Sequence, residues 1–311
     1  MITTLSDQRP QVVANVWSPE YFEEEFLRFA ILDLKREHGD PEHPFGVYIL
    51  DALDPRSCLG RAVELERFGG QFGNDLAMLR DLYVDYEDCG NSELCIVVDH
   101  LELRPVGVIR LTRHTEEFGS RTIDDLLALG ENGWGLSKEE LWTRAPLAAK
   151  DLNGIVDVPT LAVSVGYHGN DALDSISRAL SACMFKRILS CGSESMICAL
   201  DRIVAALVQS ITGNFLGEFE GIGPQPYYGS PGTIPMWSNP REQLLRIQTS
   251  EPELYERFVL LKGLDKYFFA WPEDTATWEE IDELVIDLRD SSSSENPLPR
   301  SSSEGPIRAE R

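Results

Sequence analysis

Residues Val165-Gly166-Tyr167-His168-Gly169-Asn170-Asp171 interrupt an apolar run that resumes at helical spacing, which is the pattern of a strand, a glycine turn and a helix. A turn of this kind can cradle a phosphate, because the first N–H groups of the helix have no partner inside it and point into the turn. His168 lies in the turn, and an imidazole with its ordinary pKa of about 6.5 exchanges protons near neutral pH. The other candidates for chemistry are less organised. The six cysteines, at 58, 89, 95, 183, 191 and 198, form no Cys-x-x-Cys pair, and several sit in apolar runs as buried thiols would in a reducing compartment. The five histidines, at 38, 43, 100, 114 and 168, show no ligand spacing, so no metal site is expected.

Positioning the turn requires a mixed α and β chain. The segment 158–165 reads as a strand, about 172–190 as a helix and 195–200 as a short apolar strand. Two strands joined through a helix are expected to be parallel neighbours. Segments 93–99 and 106–112 flank a short polar connection and read as an antiparallel hairpin, with a further strand at 45–50. Helices are expected at 18–37, where Ser18 is the N-cap and Pro19 the first helical residue, and at 137–145 and 201–211. The region 56–88 reads as helical with a glycine break at 68–73, and 215–222 with 233–237 as a closing hairpin around a turn-rich stretch. Further helices follow, one opened by a capping box at Thr277-Trp278-Glu279-Glu280, before a tail from about 290 with almost no bulky apolar residue. The fold class is therefore α+β (α/β mixed), with a central parallel pair that opens a cleft at the glycine turn where its strands splay.

Composition bounds the function. The chain has 311 residues, 42% of them hydrophobic, which suffices for a sizeable core. Its 28 basic and 52 acidic residues give a net charge of −24, and no basic stripe is present, so nucleic acid is not an expected partner. No apolar run is long enough to cross a membrane, and the first residues lack the basic start and apolar block of a secretory signal. The expected location is the cytoplasm.

At the level of motifs, the chain resembles the GNAT superfamily of acyltransferases, within it the branch of N-acyl-homoserine-lactone synthases and N-acyl amino acid synthases. Gly107-Val108-Ile109-Arg110 is similar to the Gly-x-x-Arg strand of the lactone synthases. Asp157-Val158-Pro159-Thr160-Leu161-Ala162-Val163 is similar to their Glu-Leu-Ser-Arg-Phe-Ala-Val strand, departing at Thr160, where the family has arginine. Ile222-Gly223-Pro224-Gln225-Pro226-Tyr227-Tyr228-Gly229 resembles the Leu-Gly-Pro…Tyr-x-Gly turn that closes the fold. The paired tryptophan and acidic motif of the lactone synthases is not found near the N-terminus. The resemblance implies a GNAT-like core over 60–240, preceded by a subregion at 1–59 and followed by helices at 241–289 and a tail at 290–311.

It also implies transfer of an acyl group from a pantetheine thioester to the amine of a small molecule in specialised metabolism, with no permanently bound cofactor. The co-substrate would be a phosphopantetheine thioester on an acyl carrier protein or on coenzyme A. Asp171, at the point where a pyrophosphate would sit, competes for the same N–H groups and favours the carrier protein. The pantetheine arm would run along Val163, Ser164, Val165, Gly166, Tyr167 and Gly169. A carrier is ordinarily acidic, and Arg178, Lys186 and Arg187 are the candidate docking cations. Aminolysis needs a neutral amine, a polarised carbonyl and a proton for the departing thiolate. Asp157 or His168 would take the amine proton, a backbone N–H near Val163 or Val165 would polarise the carbonyl, and Tyr167, Tyr227 or Tyr228 would supply the final proton. Arg110 would hold a carboxylate on the amine substrate or ion-pair internally. A lactone-forming autoinducer synthase and a non-catalytic binding module on the same fold are the alternatives.

Overall fold

Along the second strand, Leu94, Ile96 and Val98 turn to one face while Cys95 and Val97 turn to the other, and all five are buried. A strand that is apolar on both faces belongs in the middle of a sheet covered on both sides. The computed structural model, which describes residues 16–38, 43–87, 90–167, 171–212, 215–258, 260, 262, 264 and 268–269, shows that arrangement. The tail at 290–311, the capping box at Thr277, and His168 and Gly169 lie outside the described residues.

Among the described residues, nine strands form one mixed sheet: β1 (Phe45–Asp51), β2 (Ser92–Asp99), β3 (Arg104–Arg113), β4 (Ile155–Val163), β5 (Ser195–Asp201), β6 (Gly217–Glu218), β7 (Gln225–Tyr227), β8 (Ser230–Ser238) and β9 (Phe268–Phe269). Their order is β6-β8-β5-β4-β3-β2-β1-β9, with β7 also on β8. The sheet is mixed, as expected, with a parallel β4–β5 pair at its centre and antiparallel partners beyond it on either side. On one face pack α1 (Glu24–His38) and α2 (Cys58–Phe72). On the other lies α6 (Asp171–Ser190), itself covered by α8 (Pro240–Ser250) and α9 (Pro252–Phe258). Short helices α3 (Leu76–Tyr83), α4 (Arg121–Leu127) and α5 (Lys138–Arg144) and the helix α7 (Arg202–Thr212) complete the frame. No helix among the described residues is long and apolar enough to cross a membrane.

Four elements differ from the sequence pattern. The segment expected as one helix over 18–37 is a short 3-10 turn at Pro19–Phe22, with no side-chain cap from Ser18, and after the extended Glu23 the α-helix α1 begins only at Glu24. Helix α2 runs through Gly69 and Gly70 and stops at Gly73, whose φ of 77° lets its N–H return to Gly69 and Phe68 carbonyls as a left-handed cap. The closing hairpin pairs β8 with β7 inside the presumed turn, because Tyr228 and Gly229, at φ 44° and 91°, make a two-residue connection between Tyr227 and Ser230. The stretch 215–222 supplies the short β6, which pairs antiparallel with Met236 and Trp237 of β8 as expected. Strand β4 starts at Ile155, three residues early, which moves Asp157 from the strand's end into its interior.

Two glycines set how closely helices approach the sheet. A Cβ on Gly60 would stand 2.6 Å from Leu94, and one on Gly107 would stand 2.8 Å from Ile176 and 2.9 Å from Leu180. These positions admit α2 to one face and α6 to the other at van der Waals distance. Gly107→Ala should therefore lower unfolding free energy by about 1–3 kcal/mol through overpacking. Gly70→Ala, on an exposed helical position where a Cβ meets nothing, should raise it by about 0.5–1 kcal/mol. Urea unfolding of the two variants measures the contrast.

Candidate active site

Strands β4 and β5 pair only through Ile155–Ser195, Val156–Met196 and Asp157–Ile197. Beyond that rung each follows its outer neighbour, β4 staying with β3 to Val163 and β5 with β8 to Asp201. The parting coincides with a bulge in β4 between Asp157 and Thr160, where Pro159 has no N–H to offer a ladder. Ser164 donates its N–H to the Val106 carbonyl, so strand alternation turns the N–H groups of Leu161 and Val163 away from β3 and into the fork. The cleft in the fork has about 870 Å³ of empty space counted to its open mouth.

Apolar walls come from Pro159, Leu161 and Ala162 of β4 and from Ala199 and Leu200 of β5, with Phe68 and Phe72 of α2 across from them. Polar groups converge at one end. Arg121 Nε donates to Asp125 Oδ2 at 2.8 Å, and Tyr227 donates to the same oxygen at 2.7 Å. Tyr228 reaches Asp125 Oδ1 at 3.4 Å, and its ring lies 4.5 Å from the Arg121 guanidinium. Burial raises the Asp125 pKa, opposed by the Tyr227 and Arg121 hydrogen bonds. The left-handed φ of Tyr228 is unusual for a non-glycine residue and aims this ring at the cleft.

Asp157 stands behind this wall at the last rung of the parallel pair, with no solvent exposure. Its Oδ2 accepts the Thr122 N–H at 2.7 Å. Its Oδ1 and the Thr122 hydroxyl are both buried without a hydrogen-bond partner among the described residues, and Thr122 lines the cleft. Burial pushes the Asp157 carboxyl up to about 7, hydrogen bonding from Thr122 pulls the other way, and the charges of Asp125 and Asp124 add to the rise. Asp157 is thus a shielded acid that changes charge near neutrality.

Several residues singled out from sequence lie elsewhere. Arg110 is not in the cleft; it is buried at 1% exposure and bonds both oxygens of Glu64, at 3.0 and 2.7 Å, and also Glu87. Arg61 pairs with Glu87 at 2.8 Å, and Trp17 Nε1 donates to Glu87 Oε2 at 2.6 Å. Two arginines and two glutamates therefore cancel inside the protein, and the substrate-binding role for Arg110 is withdrawn because both its faces and its donors are spoken for. The docking role of Arg178, Lys186 and Arg187 is likewise corrected: Arg178 and Lys186 are buried, and Arg187 bonds Glu93 at 2.6 Å. Helix α6 is sandwiched between the sheet and α8–α9 and is not a solvated surface. Val163 and Ser164 are buried at the end of β4, while Val165 and Gly166 are exposed and Tyr167 is half-buried. The Val165 N–H is already bonded to Glu66 Oε1 at 3.0 Å, so of the two backbone donors expected only Val163 faces the fork.

Tyr83, Thr122 and Arg121 were not evident from sequence. Tyr83 lines the cleft, hydrogen-bonds Thr160 Oγ1 at 2.9 Å and stacks on the Arg110 guanidinium at 4.1 Å. The Arg121–Asp125 spacing of four residues on a helix is a readable ion-pair signal, but nothing local says that α4 faces β4.

The structure is similar to several solved proteins at low identity. The N-acyl amino acid synthase FeeM from uncultured soil microbes is 12% identical, the match covering 67% of this chain and 98% of that one at a TM-score of 0.45. TofI, solved with an inhibitor and MTA, is 15% identical over 67% and 99% at 0.41. The spermidine N-acetyltransferase of Vibrio cholerae, solved with CoA and spermine, is 9% identical over 65% and 98% at 0.39. No protein-family profile and no curated protein sequence matches the chain.

Two outcomes follow from the buried charges. Arg110→Met leaves Glu64 unpaired in the core and should cost about 3–5 kcal/mol, while adding Glu64→Leu restores neutrality and should recover at least half of that in a double-mutant cycle. For Asp157, the folded chain binds the proton more tightly than the unfolded chain does. Its carboxyl therefore costs nothing below the ordinary carboxylate range and progressively destabilises the fold as pH climbs toward 7. Asp157→Asn should gain on the wild type between pH 5 and 8, reaching on the order of 4 kcal/mol, measured by urea unfolding across that range.

Proposed function

We propose that the chain is an N-acyltransferase that moves an acyl group from a pantetheine thioester to the amine of a small molecule by direct aminolysis, within specialised metabolism in the cytoplasm. The observation that carries this reading is the fork itself: a strand edge with two N–H groups turned away from β3, walled by apolar side chains, with a titrating acid at its base and tyrosines at one end. An extended arm ending in a thioester matches that geometry, because its amides can pair with the open β4 edge while its acyl chain meets the apolar walls. An acyl carrier protein is the favoured source of the arm, with coenzyme A the other. The buried free thiols at Cys58, Cys95, Cys183 and Cys198 fit a reducing setting.

In this reading the amine nitrogen attacks the thioester carbonyl, and an N–H of Leu161 or Val163 stabilises the oxyanion as it forms. The amine proton passes, directly or through water, to the open Oδ1 of Asp157, which is available as a carboxylate above its pKa. The C–S bond then breaks, and the thiolate takes a proton from the Tyr228 hydroxyl, which solvent restores.

Release of free thiol from an acyl thioester, with and without a panel of amines, tests the proposal. Amine-dependent release is expected, with kcat/KM rising through an apparent pKa near 7. Asp157→Asn should remove that rise and lower turnover by more than about tenfold, with thioester binding within about twofold of wild type. Binding without amine-dependent release across the panel would make the protein a binding module instead.

A further inference from the structure

The end of the sheet opposite the fork holds a second depression, which shares no residue with the cleft. It opens where β3 ends and where β2, β4 and β5 begin, with about 910 Å³ of space counted to its mouth. Three polar side chains on its wall carry groups that the protein does not use. Arg113, the last residue of β3, gives its backbone N–H to the Asn91 carbonyl at 2.8 Å, yet no carboxylate among the described residues stands within ion-pairing distance of its guanidinium. His114, 8% exposed, is held through Nδ1 by the Ser120 hydroxyl at 3.2 Å, which leaves Nε2 as the atom it offers to the depression. Ser193, 5% exposed, gives its N–H to the Ile188 carbonyl at 3.2 Å and keeps its hydroxyl without a partner among the described residues. In a chain of net charge −24, an arginine left without a counter-charge beside two buried polar groups has no explanation inside the fold.

We infer that Arg113, His114 and Ser193 form a second binding site, which takes a tetrahedral oxyanion (a phosphate or sulfate group) at the end of the sheet remote from the cleft. A guanidinium presents a fork of N–H donors matched to such a group, and the Ser193 hydroxyl and a proton on His114 Nε2 add donors from two further residues. Glu117, also on the wall, and the net charge of the chain oppose an anion, so its retention depends on these local donors. Burial lowers the His114 pKa, with Lys138 of α5 acting in the same direction and Asp124 of α4 against it, and Arg113 and Glu117 are the charged groups beside it in the depression. The imidazole on its own is therefore neutral near pH 7. An anion seated against it favours the imidazolium, and binding takes up a proton. None of these groups belongs to the cleft, so the site stands whether or not the cleft transfers acyl groups.

Sulfate is the probe, because its charge stays constant between pH 5 and 8, and Cys191, a half-buried thiol on the same wall, is the reporter. Sulfate at constant ionic strength should slow the alkylation of Cys191 by iodoacetamide saturably, read by mass spectrometry of the labelled peptide. Calorimetry at pH 6 should give a dissociation constant of about 1 mM or tighter. Arg113→Met should weaken binding by about tenfold or more and Ser193→Ala by about threefold, with the urea midpoints of both variants close to that of the wild type. Wild-type affinity should fall as pH rises from 5 to 8. Absence of saturable Cys191 protection up to about 20 mM sulfate would overturn the inference. So would an affinity that does not change with pH, or an Arg113→Met variant that binds as the wild type does. Binding heat without protection of Cys191 would put the anion elsewhere and overturn it equally.

Discussion

The controlling constraint is that β4 has to keep its ladder with β3 while letting go of β5. An interior strand that leaves a neighbour exposes backbone N–H and C=O groups, and such groups are costly unless water or a ligand satisfies them. The chain confines the cost. The bulge and Pro159 place a residue without a donor at the parting, and the open edge beyond it faces a cleft and not the core. Asp157 marks the last shared rung, and its burial follows from the same geometry, since β3, β5 and α4 all close around that point.

The two-arginine, two-glutamate cluster serves the same strand from the side of α2. It joins Arg61 and Glu64 of α2 to Arg110 of β3 and to Glu87, and Tyr83 carries the link on by stacking on Arg110 and bonding Thr160 of β4. A buried ionic group of this kind contributes little net stability against an apolar replacement, yet it tolerates only one arrangement of its members. Its effect is to fix the position of a cleft-lining tyrosine against the strand that forms the cleft.

The parts legible in the sequence were those written in local pattern. The β2–β3 hairpin shows its alternation and short connection, and β4–α6–β5 shows a strand, a helix and a strand in order, which suffices for the parallel pair. What depended on distant partners was not legible. Arg110 is a strand arginine whose fate is set by Glu64 and Glu87, 46 and 23 residues away. Asp157 was readable as an acid on the right strand, but its burial needed the knowledge that Thr122 docks onto it from 35 residues upstream. Arg178, Lys186 and Arg187 look solvated because helix charges usually are; α6 has neighbours on opposite sides, and the sequence does not announce that α8 and α9 return to cover it.

Helix α6 is also the crossover that connects the two arms of the fork, with β4 entering it and β5 leaving it. It is clamped against β3 at Gly107 and roofed by the C-terminal helices, so it behaves mechanically as a fixed strut between the arms. A strut of that kind resists opening and closing as a hinge. The width of the cleft is then a property of the scaffold, and what the cleft admits is left to the side chains along its rim.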